Sequence, residues 1–398
     1  MVAETLRDRF LRLALSPLSA LLKIVGVFYN QNLDSQQTQR LCRSGTFFLL
    51  ILAIQSNIYI FVRRSQIIEI LFGSQEINVD KLIEVLVHEL TRFSQLVSDA
   101  IVHLSLVFKI WPSVTLFLET LESVDSQFGQ PSLSPIKRYS LFGLIYMLFM
   151  VVLNWILFTH FDLNHPVRLA YWLDMLQNSI KIFSNLCLTV LPVWLFIICG
   201  QLYIFYTRKL IANLKLLYLM VRNATVPSGT AVQRTFSNLR SLKHLYLAAE
   251  LLHRHFSTVL AVNCFLTFVT MFTSSYYIIE FYKRGNVIVV CWSCIDVLEA
   301  FLRFWLICHT SDQIREITIE CITVLRSLRD TRNEGNMSEC NKITSYIIEI
   351  SQMSKNLDRH SLNGVLSLSK SLIIPTLEII FTYLLIIYQF KSAGEGTS

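Results

Sequence analysis

Long apolar runs separated by amphipathic stretches set the pattern of this chain. A helix must supply about 20 apolar residues to cross the hydrocarbon core of a bilayer. Residues 139–161, 182–206, 256–282, 287–308 and 371–390 each reach that length. The run 46–62 is shorter but nearly uncharged between Arg43 and Arg63, and 93–118 is interrupted by Asp99, His103, Lys109 and Pro112. Such polar groups are costly against lipid and tolerated where they face a cavity. The pattern predicts an all-α membrane protein with seven transmembrane helices.

The stretches between the runs are themselves helical in period. Ile314, Ile317, Cys321, Leu325 and Leu328 recur at helical spacing with charges between them. After a polar break at Asn333–Ser338, a second stripe runs through Ile343, Ile347, Ile350, Met353 and Leu357, and 207–255 carries similar leucine stripes. Amphipathic faces in water must be covered, so these segments are expected to pack together beneath the membrane. At the start of the chain, Arg7, Asp8, Arg9 and Arg12 precede a run interrupted by Pro17 and Lys23. With no small-residue cleavage site this does not read as a secretory signal. It predicts an amphipathic helix lying on the inner membrane surface.

Sidedness follows from the basic residues. With the N-terminus inside, segments 1–45, 119–138, 207–255 and 309–370 hold about 24 Lys and Arg, against about 9 on the other side. Arg63 and Arg64 run against the trend. The asymmetry predicts a cytoplasmic N-terminus and an extracellular C-terminus, the reverse of a G-protein-coupled receptor. Asn223-Ala-Thr and Asn336-Met-Ser match glycosylation sequons but fall in segments placed inside, so they read as chance matches.

Composition agrees with this layout. The chain is 53% hydrophobic and 16% charged, where a soluble domain is about 25% charged. Its net charge of +7 is dispersed between apolar runs, without the clustered basic face that nucleic acid requires. Most of the nine cysteines lie inside apolar runs, where a thiol behaves as a small hydrophobe. Cys291-Trp-Ser-Cys294 has redox spacing but lacks the strand context of that motif. His253-Arg-His255 has no paired cysteines or carboxylates at zinc-ligand spacing. No Walker loop, dinucleotide fingerprint or G-x-S-x-G occurs, and nothing points to an enzyme, a metal or a cofactor.

The last run is the most informative. At about 100° per residue, Ser371, Glu378, Thr382, Leu385 and Gln389 share one narrow stripe on an otherwise apolar helix, with Tyr383 and Phe390 on a neighbouring face. Such a stripe faces protein, through interhelical hydrogen bonds, or water. Asp296, Glu299 and Arg303 share a face of the 287–308 run. There they form either a structural ion pair or a polar wall of a ligand pocket. Aromatics crowd the outer ends of the runs, among them Trp155, His160, Phe161, Tyr171, Trp172, Tyr276, Tyr277 and Phe281. An interfacial belt explains most of them. Trp155, Tyr276 and Tyr277 are the first candidates for lining an apolar small-molecule pocket.

Thr382-Tyr383, five residues from Leu384 to Tyr388, then Gln389-Phe390 resembles the C-terminal signature of the insect gustatory receptors. Chain length, seven runs and long inner helices are similar too. The resemblance implies a ligand-gated cation channel, homo- or heterotetrameric with other gustatory receptor subunits, opened by a small-molecule tastant in the plasma membrane of sensory neuron dendrites. It implies a six-helix ligand-sensing bundle over 46–308, anchor helices over 309–370, a pore-lining helix over 371–390 and an extracellular tail at 391–398. Gln389 and Phe390 then fall at the constriction, Thr382 and Tyr383 connect the pore helix to its neighbours, and Glu378 offers a carboxylate to passing cations. Sugar-sensing members resemble Thr-Tyr-Glu, whereas this chain has Leu384, which favours a bitter, pheromone or other non-sugar ligand. Two other classes would leave different marks. A G-protein-coupled receptor should show Asp-Arg-Tyr after the third span and Asn-Pro-x-x-Tyr in the last, both absent. A secondary transporter should show a repeat, and none is evident. An odorant-receptor relative would share the architecture without the Thr-Tyr/Gln-Phe spacing.

Overall fold

The computed structural model describes residues 5–18, 110–129, 131–162, 189–222, 228–332 and 368–395, with isolated positions between them. Among these residues every regular element is helical. Helix α1 (Leu6–Arg9) runs on into a π-turn at Phe10–Ala14 and a 3-10 turn at Ser16–Leu18. The longer helices are α2 (Trp111–Gln127), α3 (Ser134–Asp162), α4 (Leu191–Arg222), α5 (Ser228–Lys283), α6 (Val287–Arg332) and α7 (Ile373–Glu395). Pro112, Pro135, Pro192 and Pro375 each fall within the first three residues of a helix, where a missing N–H costs least.

Helices α4, α5 and α6 pack mutually and form the centre. α5 and α6 are antiparallel across a tight turn. Gly285 there takes φ +69°, a left-handed conformation that glycine adopts without a Cβ penalty. Asn286 N–H bonds back to Phe281 C=O at 3.0 Å, and its side chain accepts Val289 N–H at 3.3 Å to cap α6. α4 lies on α6 along a close seam. A Cβ on Gly200 would stand 2.7 Å from Thr310 Cγ2. Gln201 donates to Gln313 at 2.9 Å, Tyr203 and Thr318 share a hydroxyl bond of 2.8 Å, and Lys215 meets Glu320 at 2.8 Å. Small residues that allow backbones to approach, with hydrogen bonds across, are how helices associate in lipid.

Four of the described helices hold a stretch long and apolar enough to cross a membrane: Ser134–Leu153, Leu191–Met220, Phe236–Lys283 and Lys370–Gln389. The runs 139–161, 256–282 and 371–390 therefore lie in α3, α5 and α7, and most of 182–206 in α4. The run 287–308 opens α6, with Asp296, Glu299 and Arg303 in its path. Most of the run 46–62, the positions Asp99, His103 and Lys109 of 93–118, both sequons and the second inner stripe lie outside the described residues. The predicted inner helices are not separate elements. The leucine-striped 228–255 continues into 256–283 as one helix of 56 residues, and 287–332 is one helix of 46.

The N-terminal expectation needs correction. Leu6, Phe10, Ala14, Leu15 and Leu18 are fully buried in the main core, packed on α2 and α3 rather than spread on a membrane surface. Arg9 explains the difference. Its guanidinium reaches the buried Asp125 of α2 at 2.8 Å and Pro131 C=O at 3.4 Å, while Tyr206 of α4 donates to the same carboxylate oxygen at 2.5 Å. A buried carboxylate needs such donors, and the N-terminal segment supplies one.

Candidate functional site: the last helix and its seat

The helix α7 has the highest mean hydropathy of the four candidate spans, and only 11% of its apolar stretch is buried. Among the described residues, contacts hold it just before its start, at its middle and towards its end. In the 3-10 turn Lys370–Leu372 that leads into it, Lys370 N–H donates to the buried Asp312 of α6 at 2.8 Å. At its middle, Ile380 and Leu384, with half-buried Ile387, enter a cluster of Met271 and Tyr276 from α5 and Ala300 from α6. Towards its end, Lys283 Nζ sits 5.0 Å from the centre of the Tyr388 ring, a cation–π contact. Lipid tails are as apolar as leucine, so the middle seam gains van der Waals packing and little more.

The predicted stripe lies on the far side. At about 100° per residue, Ile380, Leu384 and Ile387 span about 60°, and Glu378, Thr382, Leu385 and Gln389 centre about opposite them. All four are exposed on the chain, as is Ser371. The Thr382 hydroxyl donates to Glu378 C=O at 2.8 Å, an internal bond that leaves the Glu378 carboxylate on the open face. Tyr383, 55% exposed, and Phe381, 71% exposed, flank the stripe. Phe390 belongs to α7, but its side chain lies outside the described residues. Leu384, whose identity argued against a sugar ligand, is part of the seam. A glutamate there would have to bury its carboxylate among apolar side chains.

The pocket candidates separate. Tyr276 is buried in the cluster that seats α7, with the half-buried Tyr277 packed against it. Their rings stand 5.8 Å apart, and Phe281 continues the row at 6.0 Å from Tyr277. Trp155 lies in α3, its side chain outside the described residues. Glu299 and Arg303 do pair, at 3.3 Å. A third group, which sequence reasoning missed, joins them: Tyr146 of α3 donates to Glu299 at 2.5 Å. Trp194 of α4 covers Tyr146 with ring centres 5.8 Å apart, lying so close to α3 that a Cβ on Gly143 would meet its ring at 3.0 Å. The buried Arg303 Nε has no acceptor among the described residues. Tyr146 and Glu299 are 153 positions apart, and no local pattern signals that pairing.

Near the start of α7, Trp305 stacks on His309 at 4.9 Å. Burial first, then the nearby Lys370, holds His309 below the ordinary histidine value. Cys291 and Cys294 are free thiols, exposed on helix α6 and without strand context. His253 packs edge-on against Phe196, and no group of residues able to hold a metal occurs among the described residues.

Long apolar helices packed through short polar contacts define a multi-pass, all-α membrane protein. Its fold is that of an insect chemosensory receptor of known structure. The insect olfactory receptor OR5 from Machilis hrabei superposes with a TM-score of 0.60 at 12% identity, over 97% of this chain and 98% of that one. The same receptor in complex with eugenol superposes with a TM-score of 0.57 at 13% identity, over the same shares. No family model matches the sequence, and no curated protein matches it.

Proposed function

We propose that this chain is a chemosensory receptor of the gustatory type and is itself a ligand-gated cation channel. Seven spans place its N-terminus in the cytoplasm and its C-terminus outside. Four subunits, identical or mixed, bring their last helices together around a central path. One observation carries this reading: on the most apolar and least buried candidate span, a polar stripe lies opposite the seam that seats the helix. Lipid on that face would strand the Glu378 carboxylate, whereas a water-filled path between subunits would solvate it. The Thr-Tyr/Gln-Phe spacing supports the gustatory branch over the olfactory one.

Under this reading Glu378 forms a ring of carboxylates where cations pass, and Phe390 closes a dewetted constriction beside Gln389. A small organic molecule binds among the first six spans, eugenol in the olfactory receptor being an example of that size and chemistry. Leu384 in place of the sugar-type glutamate favours a bitter compound or pheromone. Tyr276 and Tyr277 are placed to pass occupancy of that pocket to the seat of α7, and Tyr146, Glu299 and Arg303 give it a polar wall. The test is whole-cell current with surface labelling, for the chain alone and with partner subunits. Glu378→Gln is expected to lower cation conductance or divalent block, and Phe390→Ala to open a leak without ligand, both at normal surface level. Normal surface level with unaltered current in both variants would remove α7 from the pore.

A further inference from the structure

We propose that Asp312 is a positioning residue: it latches onto α6 the 3-10 turn that leads into α7 and so sets the resting position of the last helix. The inference rests on the channel reading above, and its test separates the two. Asp312 is 7% exposed, and a carboxylate so placed must be held by donors. The donor it has is Lys370 N–H, at 2.8 Å and 58 residues further along the chain. The first N–H groups of a helix have no partner within it, and the helix dipole favours a negative charge there. A charged acceptor makes this a stronger tie than a neutral one would.

The two ends of the tie differ in what holds them. On α6, Asp312 lies between Thr310, which faces Gly200, and Gln313, which bonds Gln201. It is fixed to the α4 seam within one helical turn. On the other side, Ser369 is buried and its hydroxyl bonds that of Ser371, so the chain enters α7 through an ordered turn. Beyond that turn the described contacts of the helix include the lipid-level seam and the Lys283–Tyr388 pair. The Asp312 bond is therefore the one tie of α7 made by a charged group to the backbone among the described residues. It sits where a firmly packed body meets a loosely seated one. The buried Ser311 hydroxyl beside it has no partner among the described residues.

The test uses the full-length chain. Asp312→Asn keeps an acceptor oxygen without the charge, and Asp312→Ala removes both. Two quantities are measured: unliganded cation current per surface receptor, and amide hydrogen exchange across 370–376 in the purified protein. Asp312→Ala is expected to raise the current several-fold and speed exchange at 370–376, while 191–222 stays protected. Asp312→Asn should fall between it and the parent. Faster exchange with unchanged current per receptor would leave Asp312 as mere packing and overturn the proposal. Unchanged exchange would overturn it outright. If the parent chain passes no current with any partner subunit, the channel reading fails, and exchange alone decides whether the latch exists. Should Asp312→Ala fail to reach the surface, Asp312→Asn decides by the same two measurements.

Discussion

Helices α4 and α7 have nearly the same raw material and opposite surroundings. Both hold a long apolar stretch, of mean hydropathy 1.3 in α4 and 2.0 in α7, yet 72% of the first is buried in the chain and 11% of the second. The difference lies in their polar residues. On α4 these are spent on neighbours: Gln201 on Gln313, Tyr203 on Thr318 and Tyr206 on Asp125. On α7 the stripe of Glu378, Thr382 and Gln389 lies on the open face. High hydropathy thus marks the helix the chain leaves to its surroundings, because lipid accepts apolar surface at no cost. The helix that holds the chain together is the one with more polar side chains.

Three substitutions press on that contrast. The largest effect belongs to Arg9→Ala, which leaves Asp125 buried with only Tyr206 as partner. Removing one member of a buried pair costs about 3–5 kcal/mol. The thermal midpoint of the purified protein should fall steeply, and Arg9→Met with Asp125→Leu should recover most of the loss. An unaffected midpoint for Arg9→Ala would show that the N-terminal clasp contributes nothing to the firm body. Next comes Gly200→Ala, whose new methyl would press on the buried Thr310. Overpacking of this kind costs about 1–3 kcal/mol, readable in the same melt, and larger residues should cost more. The smallest effect on the protomer is expected from Phe381→Ala, since an exposed position changes stability by about 0.5 kcal/mol or less. Its consequence should appear in assembly, as a larger monomer fraction in mild detergent. If Phe381→Ala instead melts the protomer as Gly200→Ala does, the contrast between the two helices is wrong.

What could be read from the residues alone follows from the range of the forces. The apolar runs are local and long, so α3, α5 and α7 were legible, and so was the stripe on α7, which needs only helical period. The lengths of α5 and α6 were underestimated because hydropathy falls where a helix leaves the membrane. The better signal is the absence of breakers: 230–283 and 287–332 contain neither glycine nor proline, and a helix once begun continues cheaply. The Glu299–Arg303 pair is local, four residues apart, and was foreseen. Tyr146 on Glu299 and Arg9 on Asp125 join positions 153 and 116 apart, and a single sequence carries no trace of such meetings. The N-terminal segment misled for this reason. Its amphipathic pattern shows that one face must be covered, but not by what.

The continuity of α5 has a mechanical consequence. At about 1.5 Å per residue its 56 residues extend about 84 Å, while a hydrocarbon core is about 30 Å thick. Most of this rod must therefore project beyond the bilayer, and with no proline inside it there is no joint at which it could fold. A tilt imposed at one end becomes a sideways sweep at the other, scaled by the lever arm. Tyr276, beneath α7, and Leu239, in the main core, sit on the same shaft, so the two ends of the molecule cannot be moved independently.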